Sequence, residues 1–360
     1  MKQVKPVTIL TLLSTFTALA LLSGYILWPA DASLALESIN VSSEEEPHPD
    51  DLMEQGVEQF LQEQFELAIA SWQEAYPLYE QLNSTQGTSL TLFYIGLASN
   101  RLGNYSIALQ NLEQALEISQ ATADRPTESQ ILSTLAEVFN EIGNYSDAIR
   151  LYKDSLTIAN SLQNLSEAAR ISNNLGLVYF RTEQTEQAIA QYQQSLEIAE
   201  ALVANNAADE QAEATIGYAH HHLGIAMAMQ TMGSRNFDAA IEHDLQSLVV
   251  AEKLGDQRLA GAVHRSLGVV YEELDEFSNA IDAHSQSISI FQTSNNPREL
   301  SRSYNNRAHA YLEWAKIQRD AGDELAADAS LQKAQDDLNV AVSTLKALRE
   351  NLAADDQRVS

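Results

Sequence analysis

The chain has no cysteine, only 7 proline and 14 glycine in 360 residues, and few cations, with 21 Lys and Arg against 50 Asp and Glu. The lack of cysteine excludes disulfides, thiolate metal sites and a cysteine nucleophile. Proline and glycine this scarce, with 45% apolar residues, exclude a low-complexity chain and leave an ordered one. A formal charge of −29 excludes phosphate-backbone binding, which needs basic patches to displace counterions, so nucleic acid is not an expected partner. Nothing alternates with a period of two, so strands are not expected. The motifs HExxH, GxSxG and GxxxxGK(S/T) are all missing. No catalytic residue, cofactor or metal ligand set is predicted, and a non-enzymatic protein is expected.

The N-terminus does carry a signal. Lys2 and Lys5 precede an uncharged stretch from Val7 to Trp28, 22 residues and long enough to span a bilayer as a helix. Small-x-small patterns follow at Ala30-Asp31-Ala32 and Ser33-Leu34-Ala35, as at a cleavage site. Residues 1–32 therefore read as a signal peptide cleaved near Ala32, or as an anchor through 7–28. Either one exports the rest to the periplasmic or extracytoplasmic side. Residues 33–50 read as a flexible acidic linker.

Beyond it the chain repeats. Arg101-Leu-Gly-Asn-Tyr-Ser-Ile-Ala108 returns 40 residues later as Glu141-Ile-Gly-Asn-Tyr-Ser-Asp-Ala148. The same step places small residues at Ala68, Ala108, Ala148 and Ala188, and then at Ala240 and Ala280. Twelve residues before five of these stand Gly56, Gly96, Ala136, Gly176 and Gly268, with Gly224 and Ala308 in the irregular units. Seven residues after them stand Ala75, Ala115, Ser155, Ser195, Ser247 and Ser287. Two helices approach closely only where small residues meet at the crossing, so three small columns predict antiparallel helix pairs. Gly103 and Gly143 are expected to end first helices, with Tyr105 and Tyr145 beginning second ones.

This pattern resembles the tetratricopeptide repeat over about residues 51–350. Its 40-residue period is similar to the long-repeat branch of the Leu-Gly-Asn scaffolds and kinesin light chain, and Asn173-Asn-Leu-Gly-Leu-Val-Tyr179 is close to that branch's first helix. The resemblance implies an all-α fold, a right-handed solenoid of about seven helix pairs behind one apolar N-terminal helix. The units fall near 51–86, 87–126, 127–166, 167–208, 209–257, 258–297 and 298–350, with a polar tail at 351–360. Eight extra residues are expected within 201–216, four more around Met232–Asn236, and in the last unit a second helix that resumes near Ala334.

In this family the first helices line a groove that holds a protein segment. Arg170 and Arg302 stand six residues before the central small residue, and Asn173, Asn174, Asn305 and Asn306 three and two before it. Arg170, Asn174, Arg302 and Asn306 match the branch, while His221 and Arg265 join them by position. Arg offers a fork to carboxylates and Asn a donor and acceptor to peptide backbone. The expected partner is thus a protein or peptide segment, with acidic groups facing Arg170, Arg265 and Arg302. A membrane joins it if the N-terminal helix is retained. Two alternatives stand beside this scaffold. One is a periplasmic assembly or metal-handling factor for Mn or Ca, on clusters such as Glu272-Glu-Leu-Asp-Glu276. The other is a regulatory accessory of a separately encoded enzyme. The consecutive His220, His221 and His222 splay about 100° apart on a helix and do not suit one metal.

Overall fold

A computed structural model describes residues 47–206, 209–230 and 235–359, the last nine of these by backbone alone. The expected signal peptide or anchor, its apolar stretch 7–28 and most of the 33–50 linker lie outside the described residues. Among those described, every regular element is an α-helix, and no helix is long and apolar enough to cross a membrane.

There are fourteen: α1 (Pro49–Leu61), α2 (Phe65–Gln81), α3 (Thr85–Arg101), α4 (Tyr105–Ala121), α5 (Arg125–Glu141), α6 (Tyr145–Ser161), α7 (Leu165–Arg181), α8 (Thr185–Asn205), α9 (Glu210–Ala228), α10 (Phe237–Leu254), α11 (Gln257–Glu273), α12 (Phe277–Thr293), α13 (Pro297–Asp320) and α14 (Glu324–Val359). Odd-numbered helices are the first of each pair and even-numbered ones the second. The chain forms two compact units, one ending at Gln191 and the other beginning at Tyr192, a boundary inside α8.

In the first unit each helix from α1 to α7 packs on its neighbours in sequence, and first helices also meet one another, α3 with α5 and α5 with α7. The second unit repeats this from α9 to α14, with α9 touching α11 and α11 touching α13. First helices therefore make an inner row in each unit.

The crossings explain the small columns. Ala68, Ala108, Ala148, Ala188, Ala240 and Ala280 are fully buried, as are Ala75, Ala115, Ser155, Ser195, Ser247 and Ser287. A Cβ on Gly96 would stand 2.6 Å from Leu112, and one on Gly268 2.3 Å from His284, so nothing larger than glycine fits there without repacking. At a second crossing, serine hydroxyls reach the carbonyl of the facing helix. Ser155 donates to the Ser129 carbonyl at 2.7 Å, Ser89 to Ala115 at 3.2 Å, and Ser287 to Gly261 at 2.8 Å. Serine at these places satisfies itself and holds the helices together.

Each turn is three residues with one in the left-handed region. At the end of α3, Gly103 (φ +76°) donates its amide to Asn100 and Asn104 donates to Ser99, the Schellman pattern that satisfies the last carbonyls. Gly143 does the same work after α5, but Ala123, Gln163 and Glu183 take the equivalent place elsewhere, at some conformational cost. Caps start the next helix: Asp124 accepts from the Thr127 amide, Asn164 from Glu167 and Asn296 from Glu299.

The extra residues near 201–216 go largely into longer helices. Helix α8 has 21 residues and α9 has 19, against 17 in α7. Residues 207–208, and 231–234 of the second insertion, lie outside the described residues. The last pair differs from expectation. Helix α14 starts at Glu324, not near Ala334, and runs through the expected 351–360 tail to Val359. Ala327, Ala334 and Ala341 are its buried small residues. The longer first helix, 24 residues in α13, displaces Ala327 from the usual twelve-residue step and hides it from a periodic reading.

Candidate functional site

The residues expected to line a groove all fall on first helices, but in two units. Arg170, Asn173 and Asn174 are on α7; His221 is on α9, Arg265 on α11, and Arg302, Asn305 and Asn306 on α13. Asn173 is buried, Asn174 and Asn306 are half-buried, and Asn305 is exposed.

The three arginines meet carboxylates of their own chain. Arg170 donates through Nη2 to Glu167 at 2.6 Å and through Nε to the same residue at 3.0 Å, and reaches Ser133 Oγ on α5 at 3.0 Å. Burial works against its charge, yet Glu167 and Glu137 raise its pKa above the ordinary value. Arg265 pairs with Glu299 across α11 and α13, and Arg302 pairs with the same Glu299 at 2.7 Å. His221 Nδ1 lies 3.0 Å from the fully buried Asp244. The forks expected to face a partner's acidic groups are thus supplied from within.

The structure gathers another set that the sequence reading passed over. On the C-terminal halves of α3, α5 and α7 lie Asn100, Arg101, Glu137, Asn140, Glu141 and Arg181. Arg181 pairs with Glu141 at 3.1 Å, and the Asn140 amide donates to Glu141 at 3.2 Å. Arg101 stands 3.7 Å from Glu137, too far for a hydrogen bond. Four buried atoms here have no hydrogen-bond partner: Asn100 Oδ1, Arg101 Nη2, Glu137 Oε2 and Asn140 Oδ1. Buried polar atoms are nearly always satisfied, so four in one patch mark a place built to meet something else. Glu137 is 8% exposed, and burial pushes its carboxyl up to about 7, although Arg101 and Arg170 pull it down. A 40-residue comparison column by column would have found the set, since Asn100 repeats as Asn140, and Arg101, Glu141 and Arg181 alternate in sign at that step.

A cavity of about 540 Å³ opens on the opposite face of α5, among Leu116, Leu132, Leu135, Phe139, Leu151 and Ile158. Leu132 and Leu135 point roughly 140–160° round the helix from Glu137. Its charged rim is internally satisfied, with Arg125 2.5 Å from Glu128 and the Gln120 amide donating to Glu128 at 3.1 Å. The inner patch, with its unsatisfied atoms, is the stronger site.

In the second unit the polar groups are more fully paired. Arg307 makes two 2.7 Å contacts to Asp337, and Tyr218 donates to Asp256 at 2.6 Å. Glu272 joins buried His284 at 2.8 Å to exposed His309 at 2.6 Å. Among the described residues no group of three or more His, Asp or Glu is arranged to hold a metal ion.

Helix pairs that cross at small residues, with polar side chains collected on the first helices, define a helical-repeat scaffold. Residues 87–161 and 127–201 match the tetratricopeptide repeat family, and over that stretch the chain carries tetratricopeptide repeats. Among curated proteins no sequence matches. Three solved structures are similar in fold. The tetratricopeptide sensor protein of the Signal Transduction ATPase with Numerous Domains class from Pyrococcus horikoshii has a TM-score of 0.63 at 17% identity, over 86% of this chain and 44% of that one. This chain thus spans less than half of that protein. BtubC (BKLC) from P. vanneervenii has a TM-score of 0.50 at 20% identity, over 65% of this chain and 89% of that one. The Rap conjugation gene regulator of plasmid pLS20, in complex with the Phr* peptide, has a TM-score of 0.52 at 16% identity, over 89% of this chain and 82% of that one. At these identities the likeness is one of fold.

Proposed function

We propose that the protein is a non-enzymatic scaffold of the long-repeat tetratricopeptide branch that binds an extended protein segment along the first helices. The observation that carries this reading is the patch of four unsatisfied buried polar atoms on α3 and α5, beside Asn173 and Asn174 on α7. A chain of repeats buries its apolar faces between neighbours and leaves the inner row of helices to recognise a partner. The similar fold of a Rap regulator in complex with a peptide supports the reading. Lys2, Lys5 and the uncharged stretch 7–28 support an exported protein, anchored or cleaved near Ala32, and N-terminal sequencing of the chain outside the inner membrane tests that.

The groove itself is tested with the full chain and a positional-scanning library of acetylated nonapeptides, read by fluorescence polarisation. Selective binding at micromolar affinity is expected. Asn173→Ala and Asn174→Ala should each weaken the selected peptides about tenfold, the loss of one or two backbone hydrogen bonds, with little change in melting temperature. Binding without sequence preference, or untouched by both changes, would remove the groove assignment.

A further inference from the structure

We infer that Asn100, Glu137 and Asn140 form a subsite for one primary ammonium group, a lysine side chain of the bound segment, which displaces Arg101 from Glu137. The inference rests on the peptide-groove reading and narrows it. Of the four unsatisfied buried atoms, three are acceptors: Asn100 Oδ1, Glu137 Oε2 and Asn140 Oδ1. An ammonium carries three donors and no acceptor, which matches that count. Glu137 and Asn140 lie at i and i+3 on one face of α5, and Asn100 adjoins Arg101, the residue nearest Glu137 across α3. The Asn140 amide nitrogen is already committed to Glu141, which turns its oxygen toward the unsatisfied side.

Neighbouring charges favour an added cation at this point and no other along the row. Arg170 is held by Glu167, and Arg181 by Glu141. Glu137 is left with Arg101, at 3.7 Å and one nitrogen of it unsatisfied, a contact weak enough to be exchanged. The side chain of Arg101 is 24% exposed, so it has solvent to swing into. An arriving ammonium gains a carboxylate and two amide oxygens in a site of low dielectric. A chain of charge −29 also draws cations toward it from a distance. This reverses the partner chemistry expected from Arg170, Arg265 and Arg302, whose own-chain glutamates answer them.

Proton linkage follows. The groups facing Glu137 are Arg101 from α3, Glu141 on its own helix, Tyr152 from α6 and Arg170 from α7. Burial, aided by Glu141, holds its pKa near 7, above the ordinary carboxylate value. A bound cation lowers that pKa, so binding releases a proton. Affinity therefore rises with pH through about 7 and levels off above it.

The test titrates Nα-acetyl-lysine methylamide into the full chain, followed by the side-chain amide resonances of Asn100 and Asn140. The norleucine and glutamate analogues serve as controls. Saturable shifts with the lysine probe alone are expected, several-fold tighter at pH 8 than at pH 6. Glu137→Gln should weaken binding at least fivefold and flatten the pH dependence. Asn140→Asp should strengthen it, a gain that damage to the fold does not produce. Equal response to norleucine or glutamate, or no response to lysine, overturns the cation subsite. The peptide groove is judged separately by the nonapeptide library.

Discussion

Trp72→Ala is expected to cost about 3–5 kcal/mol of stability, the range for emptying a fully buried aromatic site. The side chain is 0% exposed on α2 and fits against Gly56 of α1, where a Cβ would stand 2.2 Å from its indole nitrogen. It stacks on Tyr94 of α3 at a centroid distance of 5.3 Å, touches Phe60 at 6.0 Å and donates its N–H to the Met53 carbonyl at 3.3 Å. One ring thus joins the first pair to the second. Alanine removes the stacking, leaves a cavity and strands the Met53 carbonyl. Because repeats are stabilised mainly by nearest neighbours, the loss should fall on α1, α2 and α3. Denaturant unfolding measures the total, and hydrogen exchange should show α1–α3 opening faster while α5–α7 change less. A loss below about 1 kcal/mol would mean the ring is not the joint described. The half-buried Trp314 on α13 is the internal comparison and should cost less.

Glycine and alanine columns made the fold legible because the constraint behind them is one-dimensional. A close crossing forbids bulk at Gly56, Gly96, Gly224 and Gly268 whatever lies around it, and the ban recurs at a fixed step. Turns were equally local at Gly103 and Gly143, where the left-handed backbone favours glycine. They were hidden at Ala123, Gln163 and Glu183, which take the same conformation without the tell-tale residue. The last pair was misplaced for the matching reason, since a lengthened α13 moved Ala327 out of step.

The site was less legible because polar function depends on partners, and partners are three-dimensional. Arg170 was rightly placed on a first helix, but its answering Glu167 and Ser133 lie three and 37 residues away. Arg265 finds its glutamate 34 residues on, in the next first helix. Glu137 looked like one more acid in an acidic chain. Only burial, and an oxygen left without a donor, separates it from the solvated Glu113 and Glu117.

Arg170→Ala is the second large effect, an expected loss of about 3 kcal/mol. The side chain of Arg170 is 11% exposed and that of Glu167 is 6% exposed, so removing the guanidinium leaves a buried carboxylate without its cation. It also withdraws one of two positive charges that hold down the pKa of Glu137 and frees the Ser133 hydroxyl. The pair itself is not a large net gain, because both ions had to be desolvated. The double change Arg170→Met with Glu167→Leu should therefore recover most of the loss. Arg302→Ala, at a side chain 61% exposed, should change stability by less than about 1 kcal/mol. A double-mutant cycle by denaturant unfolding measures all of these. The contrast decides how binding experiments are read. Ligand loss in Arg170→Ala would follow from a loosened α5–α7 contact as readily as from a missing ligand contact, whereas loss in Arg302→Ala would report on the ligand. If Arg170→Ala proves as stable as the parent, the buried pair is not holding these helices, and Arg170 is free to meet a partner after all.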